Sequence, residues 1–170
     1  PHNPIVDDGI LVDEIYKQQK VKVMFLLKET YGGYLKIINK QKIYNGKSVP
    51  FWPNIFNWTK LVNDLKANKE PKFIPKALIR NYKEYIDNIA YVNIKKIEGL
   101  KKSNYKDIMN YAIKDSDILK LQIDKINPDI IFTSDLNFYK AIFGLKNLNE
   151  YNLKKYQSES NKKLKLLSIE

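Results

Sequence analysis

Glu29 and Tyr31 follow the apolar run Val21-Lys22-Val23-Met24-Phe25-Leu26-Leu27, and two glycines, Gly32 and Gly33, come next. A carboxylate and a phenol delivered at the end of such a run, with glycines allowing close backbone approach, are the ingredients of a ligand site. A second set stands past Ile89-Ala90-Tyr91-Val92, where Asn93 leads into Lys95 and Lys96. A third is Thr133-Ser134-Asp135 after Ile130-Ile131-Phe132. Other chemistries are closed off by composition. The chain has no Cys, and its one His is at position 2. That excludes disulfides and thiolate metal centres, and it argues against a His-based zinc site or a Ser-His-Asp triad, so no metal and no cofactor is expected.

These residues need elements to place them. The run over 21–27 is nearly continuous in apolar character, as in a strand buried on both faces, rather than alternating as in a half-solvated one. Comparable runs predict strands at 89–94, 129–133 and 164–169. Between them the periodicity predicts helices at 9–18, 55–68 capped by Asn54, 76–87 opened by Pro75, 104–126 as one long helix, and 136–143 capped by Ser134 or Asp135 and closed by Gly144. Met109, Ala112, Ile113, Leu119, Ile123 and Ile126 make the apolar stripe of the long helix. Strands separated by helices imply βαβ crossovers, hence a three-layer α/β/α domain around a mostly parallel four-stranded sheet. Glu29, Asn93 to Lys96, Thr133 to Asp135 and Glu170 would then share the carboxyl edge, where such sheets bind ligands.

A segment as long as 30–53 inside a compact domain is more often functional than idle. Its aromatic residues Tyr31, Tyr34, Tyr44, Phe51 and Trp52 are candidates for stacking on a base.

The whole of 1–170 reads as one domain with a substantial core. The net charge is +11 with 44% hydrophobic residues, which points to a polyanionic partner. Arg80 is the sole arginine. Lysine is a poor bidentate reader of base edges, so contact with a nucleic-acid backbone fits better than sequence readout. The abundance of Lys, Ile and Asn is the composition of an AT-rich, bacterial-type genome. No apolar run has the length of a membrane span, and no secretory signal pattern is present, so a cytoplasmic monomer is expected.

The order of these motifs resembles the uracil-DNA glycosylase superfamily over residues 21 to about 145. The family's first motif is a strand ending in Gly-Gln-Asp-Pro-Tyr-x-Gly, and Leu27-Lys28-Glu29-Thr30-Tyr31-Gly32-Gly33 is similar. Its second strand ends in an Asn that hydrogen-bonds the pyrimidine edge, and Asn93 matches that place. Asn127-Pro128-Asp129-Ile130-Ile131-Phe132 resembles its third strand. Glu29 replaces the usual Asp or Asn, Thr30 replaces Pro, and Lys28 replaces Gln. The second catalytic motif, His-Pro-Ser or a close variant after the fourth strand, has no counterpart before Glu170. That leaves two alternatives, a chain cut short ahead of the motif or a branch that has lost it.

The resemblance implies a DNA glycosylase acting on a deaminated or modified, uracil-type base flipped out of the stack, on DNA that is single-stranded or base-modified. Glu29 would stabilise the positive sugar and orient water. Asn93 would read the base edge, and Tyr31 would wall its C5 side, with Tyr44 and Phe51 stacking. Lys28, Lys95, Lys96 and Ser134 would hold phosphates, or Lys28 would tie down Glu29. The alternatives are a non-catalytic nucleic-acid binder on the same scaffold and a nucleoside- or nucleotide-processing enzyme. Phosphate-cradle versions of the last are weakened because neither common Gly-rich phosphate loop is present.

Overall fold

The computed structural model describes residues 8–30, 52–79, 82–97, 99 and 102–145, together with the backbone of two strands at 156–157 and 163–168. In chain order the elements are β1 (Gly9–Ile10), α1 (Asp13–Lys17), β2 (Val23–Leu27), α2 (Trp52–Lys66), a 3-10 turn (Lys76–Leu78), α3 (Lys83–Ile86), β3 (Ile89–Asn93), α4 (Tyr105–Lys114), α5 (Ser116–Ile126), β4 (Ile130–Thr133), α6 (Leu136–Phe143), β5 (Tyr156–Gln157) and β6 (Lys163–Ser168). No helix among the described residues is long and apolar enough to cross a membrane.

The fold is α/β, with a sheet ordered β1-β3-β2-β4-β6-β5. The four strands expected from the sequence form its centre, and β3, β2, β4 and β6 pair in parallel. Two short strands extend it on the outside, β1 antiparallel to β3 and β5 antiparallel to β6.

Period-two alternation splits the strands between two cores. Met24, Leu26, Ala90, Val92, Ile94 and Ile131 face a cluster built on α4, α5 and α6. Val23, Phe25, Ile89, Tyr91 and Phe132 face a cluster built on α2 and α3, with Ile79 added. Because both faces are covered, all of Val23, Met24, Phe25 and Leu26 are buried. This explains why their run lacks a polar beat. Each fully buried large apolar side chain stabilises the fold by about 1.5–3 kcal/mol.

Four helix expectations need correction. The stretch 9–18 starts as β1, because Gly9 takes a φ of +132° and pairs with Tyr91 in β3. The second helix begins at Trp52, so Asn54 lies inside it rather than capping it. Burial drives that early start, since Trp52 packs edge-to-face on Tyr91 with ring centroids 6.0 Å apart. The helix expected over 76–87 is a 3-10 turn and the single turn α3. Ile79, extended at φ −72° and ψ 115°, turns its side chain into the core between them.

The long helix expected over 104–126 is broken at Asp115, whose φ of −100° and ψ of 16° end α4 and open α5. Both halves reach α6, with Ile108 and Ala112 buried from one and Leu119, Ile123 and Ile126 from the other. Ile113, placed in the apolar stripe by spacing, is instead 59% exposed. The ends of the remaining helices follow their signals. Asp135 Oδ1 accepts from the Asn137 amide at 2.7 Å and opens α6, and Gly144 closes it in the left-handed region. Asn127 takes the same left-handed conformation ahead of Pro128 at the end of α5.

Candidate functional site at the carboxyl edge

The parallel core runs β3-β2-β4-β6, so the connection leaving β2 leads to one side and the connection leaving β4 leads to the other. A sheet of this order has its topological switch point at the carboxyl ends of β2 and β4, where a crevice forms. Glu29 lies just past β2, and Ser134 lies just past β4. Asn93, the last residue of β3, is the register partner of Leu27. Glu29 and Asn93 therefore leave neighbouring parallel strands at the same edge.

Beyond the strands the two exits stay joined. The amides of Ile94, Lys95 and Gly99 donate to the carbonyls of Leu27, Lys28 and Thr30 at 2.9, 3.0 and 2.8 Å. This ribbon holds Glu29 inside the protein, with its side chain only 2% exposed. Burying a carboxylate demands a partner. Lys95 supplies it, with Nζ at 3.2 Å from Glu29 Oε2 and 2.7 Å from Asp107 Oδ2. The same ammonium sits 5.4 Å from the centroid of the Tyr111 ring. Burial alone would lower the Lys95 pKa, but hydrogen bonds to Asp107 and Glu29 and their two negative charges outweigh it and raise the value.

Asp107 is placed by the first turn of α4, where a carboxylate complements the helix dipole. That turn is fixed by Asn104, whose side chain accepts from the amides of Lys106 and Asp107.

Gly99 lies directly against the acid. A β-carbon there would lie 2.2 Å from Glu29 Cδ, 2.3 Å from Oε2 and 2.7 Å from Cγ. Those are distances at which atoms overlap, so the carboxyl group occupies the space a side chain would need.

Asn93 is 1% exposed. Its backbone amide donates to Asp8 Oδ2. Its side-chain Nδ2 is buried with no hydrogen-bond partner among the described residues, and so is the hydroxyl of Thr30 next to Glu29. An amide donor left this way is unusual, since nearly all buried polar atoms find partners.

Lys96 turns toward β1. Its Nζ lies 2.9 Å from both Asp8 oxygens and 2.7 Å from Gln122 Oε1, while Gln122 Nε2 donates to Asp8 Oδ1 at 2.7 Å. Burial pulls the Lys96 pKa down, against the neighbouring Asp8 charge.

The sequence candidates thus separate into groups. Glu29 and Lys95 are in contact, and Asn93 stands beside them at the end of β3. Lys95 and Lys96, expected on phosphates, are engaged by carboxylates with which a phosphate would have to compete. The cation on Glu29 is Lys95 rather than Lys28, the residue singled out for that task. Lys28 itself is half-buried, one residue ahead of the acid, and Ser134 is exposed. Tyr31, Tyr44 and Phe51 lie outside the described residues, as do Tyr34 and Glu170. Trp52, also a stacking candidate, is buried in the core.

Sequence reading missed Asp8, Gly99, Asp107 and Gln122. A lone glycine six residues past Asn93 was the one local signal, and the other three are ordinary surface types until the fold brings them in. A groove of about 420 Å³ lies elsewhere, between α2 and the segment carrying Phe73, lined by Asn57, Trp58 and Phe73 among others, and shares no residue with this edge. No protein-family model matches the chain, and no curated protein matches it.

Proposed function

We propose that the protein is a base-excising hydrolase that cleaves the N-glycosidic bond of a uracil-type base in DNA, on a three-layer α/β/α scaffold of the uracil-DNA glycosylase kind. One observation carries the reading. A buried carboxylate and a buried amide whose donor has no partner among the described residues leave adjacent parallel strands at the edge where such sheets bind ligands. In this scheme the nucleotide leaves the stack, at a cost of a few kcal/mol that favours damaged or single-stranded sites. Asn93 Nδ2 donates to a carbonyl on the base. Glu29 stabilises the sugar cation that forms as the glycosidic bond breaks, and orients the water that attacks it. Lys28 and the exposed Ser134 approach the backbone, within a net charge of +11.

The test is incubation of the protein with single- and double-stranded oligonucleotides carrying uracil or modified bases, followed by alkaline strand scission. Cleavage at the modified base, lost in Glu29→Gln, supports the reading. No abasic product across a broad substrate panel overturns it.

The ion pair between Lys95 and Glu29 favours a second reading, a non-catalytic nucleic-acid binder on the same scaffold. A carboxylate oxygen engaged by an ammonium is not free to orient an attacking water. Steeply salt-dependent binding without abasic product is the outcome that selects it.

A further inference from the structure

We propose that Lys95 is the positioning residue of the site: anchored on Asp107, its ammonium holds the Glu29 carboxylate in one place, against Gly99. The inference rests on Glu29 being the acting acid, and its geometry is independent of the substrate. Four contacts define it. Lys95 Nζ reaches Glu29 at 3.2 Å and Asp107 at 2.7 Å. It stands 5.4 Å from the Tyr111 ring centroid. The Glu29 carboxyl group fills the space that a β-carbon on Gly99 would take.

The burial gradient gives the arrangement its direction. Side-chain exposure rises from 2% at Glu29 to 12% at Lys95 and 42% at Asp107. The acid is buried, the cation is largely buried, and the outer carboxylate is wetted and sits on a helix. A lysine paired only with Glu29 could swing its flexible stem toward water. With Asp107 and the face of Tyr111 fixing its outer side, Lys95 is confined to the place where it meets Glu29. Three places in the fold supply the parts: the exit of β2 delivers Glu29, the exit of β3 delivers Lys95 and Gly99, and α4 delivers Asp107 and Tyr111. A displacement of about 1 Å in a catalytic group is enough to slow a reaction roughly a hundredfold, so confinement of this kind is a functional property.

The experiment uses the full chain labelled with nitrogen-15. The Lys95 ammonium resonance is identified by its loss in Lys95→Arg. It should move or vanish in Glu29→Gln and stay in place in Asp13→Asn, which alters an exposed pair with Lys17. Thermal melts of Lys95→Met, Glu29→Gln and the double variant form a cycle. Lys95→Met should lower Tm by several degrees, and adding Glu29→Gln should restore most of that loss. Folding of the double variant keeps the test decisive even where Lys95→Met alone does not fold.

On a uracil-containing oligonucleotide, Lys95→Met should lower kcat at least about tenfold with KM nearly unchanged, and Lys95→Arg should recover most of it. An ammonium resonance unmoved by Glu29→Gln, no recovery of Tm in the double variant, or a wild-type kcat in Lys95→Met each overturn the proposal. A moved resonance without base release by the wild type removes the hydrolase, and with it any catalytic purpose for Lys95, while the ion pair stands.

Discussion

Gly99 lies so close to Glu29 that a β-carbon on it would sit 2.2 Å from the carboxyl carbon. The two residues belong to separate strand exits, joined by the hydrogen bond from the Gly99 amide to the Thr30 carbonyl. The smallest side chain and a buried acid share one volume.

Gly99→Ala therefore forces either the carboxylate or the ribbon to shift. The expected loss of stability is about 1–3 kcal/mol, the usual range for overfilling a packed site. Chemical denaturation of the wild type and the variant measures it. An unchanged midpoint would show that the acid has room the structure does not give it.

Glu29→Gln keeps the shape of the side chain and leaves Lys95 paired with Asp107. Its stability should stay within about 1 kcal/mol of wild type, because no charge is stranded. Lys95→Met, by contrast, strands a buried carboxylate, a change worth about 3–5 kcal/mol. Comparing the two variants by equilibrium unfolding checks the asymmetry. Equal losses would mean that the pair is not what holds Glu29.

Asn93→Ala removes a side chain whose donor has no partner among the described residues. Under the proposed hydrolase reading, base release by this variant should show a raised KM for uracil-containing DNA, with Tm little changed. Wild-type KM would separate Asn93 from substrate recognition and leave it as a strand-end residue.

The two lysines give opposite alkaline behaviour. Lys95 has its pKa raised above 10.5, so its contribution to stability is complete below that value and is lost as pH rises through the higher folded value. Lys96 has its pKa lowered below 10.5, so between its folded value and 10.5 the unfolded chain binds more protons and stability rises with pH. The Tm gap between wild type and Lys95→Met should accordingly stay constant at neutral pH and narrow above about pH 10.5. Melts over a pH series read this directly, and a gap that widens on the alkaline side contradicts the assignment.

Ile131→Ala tests the fold apart from the chemistry. Ile131 is fully buried in β4, in the cluster shared with α4, α5 and α6. Its truncation should destabilise the protein by roughly 2–5 kcal/mol, the range for a large aliphatic core residue replaced by alanine. A change of a few tenths of a kcal/mol in denaturant unfolding would place it nearer the surface.

What the sequence determined by itself was the sheet and its edge. Val23 to Leu26, Ile89 to Val92 and Ile130 to Phe132 are apolar without a polar beat, and only strands covered on both faces need that. The alternation of these strands with helices then dictated parallel pairing, and it put Glu29 and Asn93 at one edge. Local caps were equally legible at Asp135 and Gly144, because capping depends on a side chain and its own backbone.

Tertiary structure alone decided the partners and the helix breaks. The pairing of Lys95 with Glu29 and Asp107, the binding of Lys96 by Asp8 and Gln122, and the contact of Gly99 with Glu29 all join residues far apart along the chain. No periodicity records such meetings. The break at Asp115 and the early start at Trp52 were hidden for the same reason. They answer to the shape of the two cores, and burial of Trp52, Ile79 and Leu119 outweighs the local preferences that a single window of sequence can express.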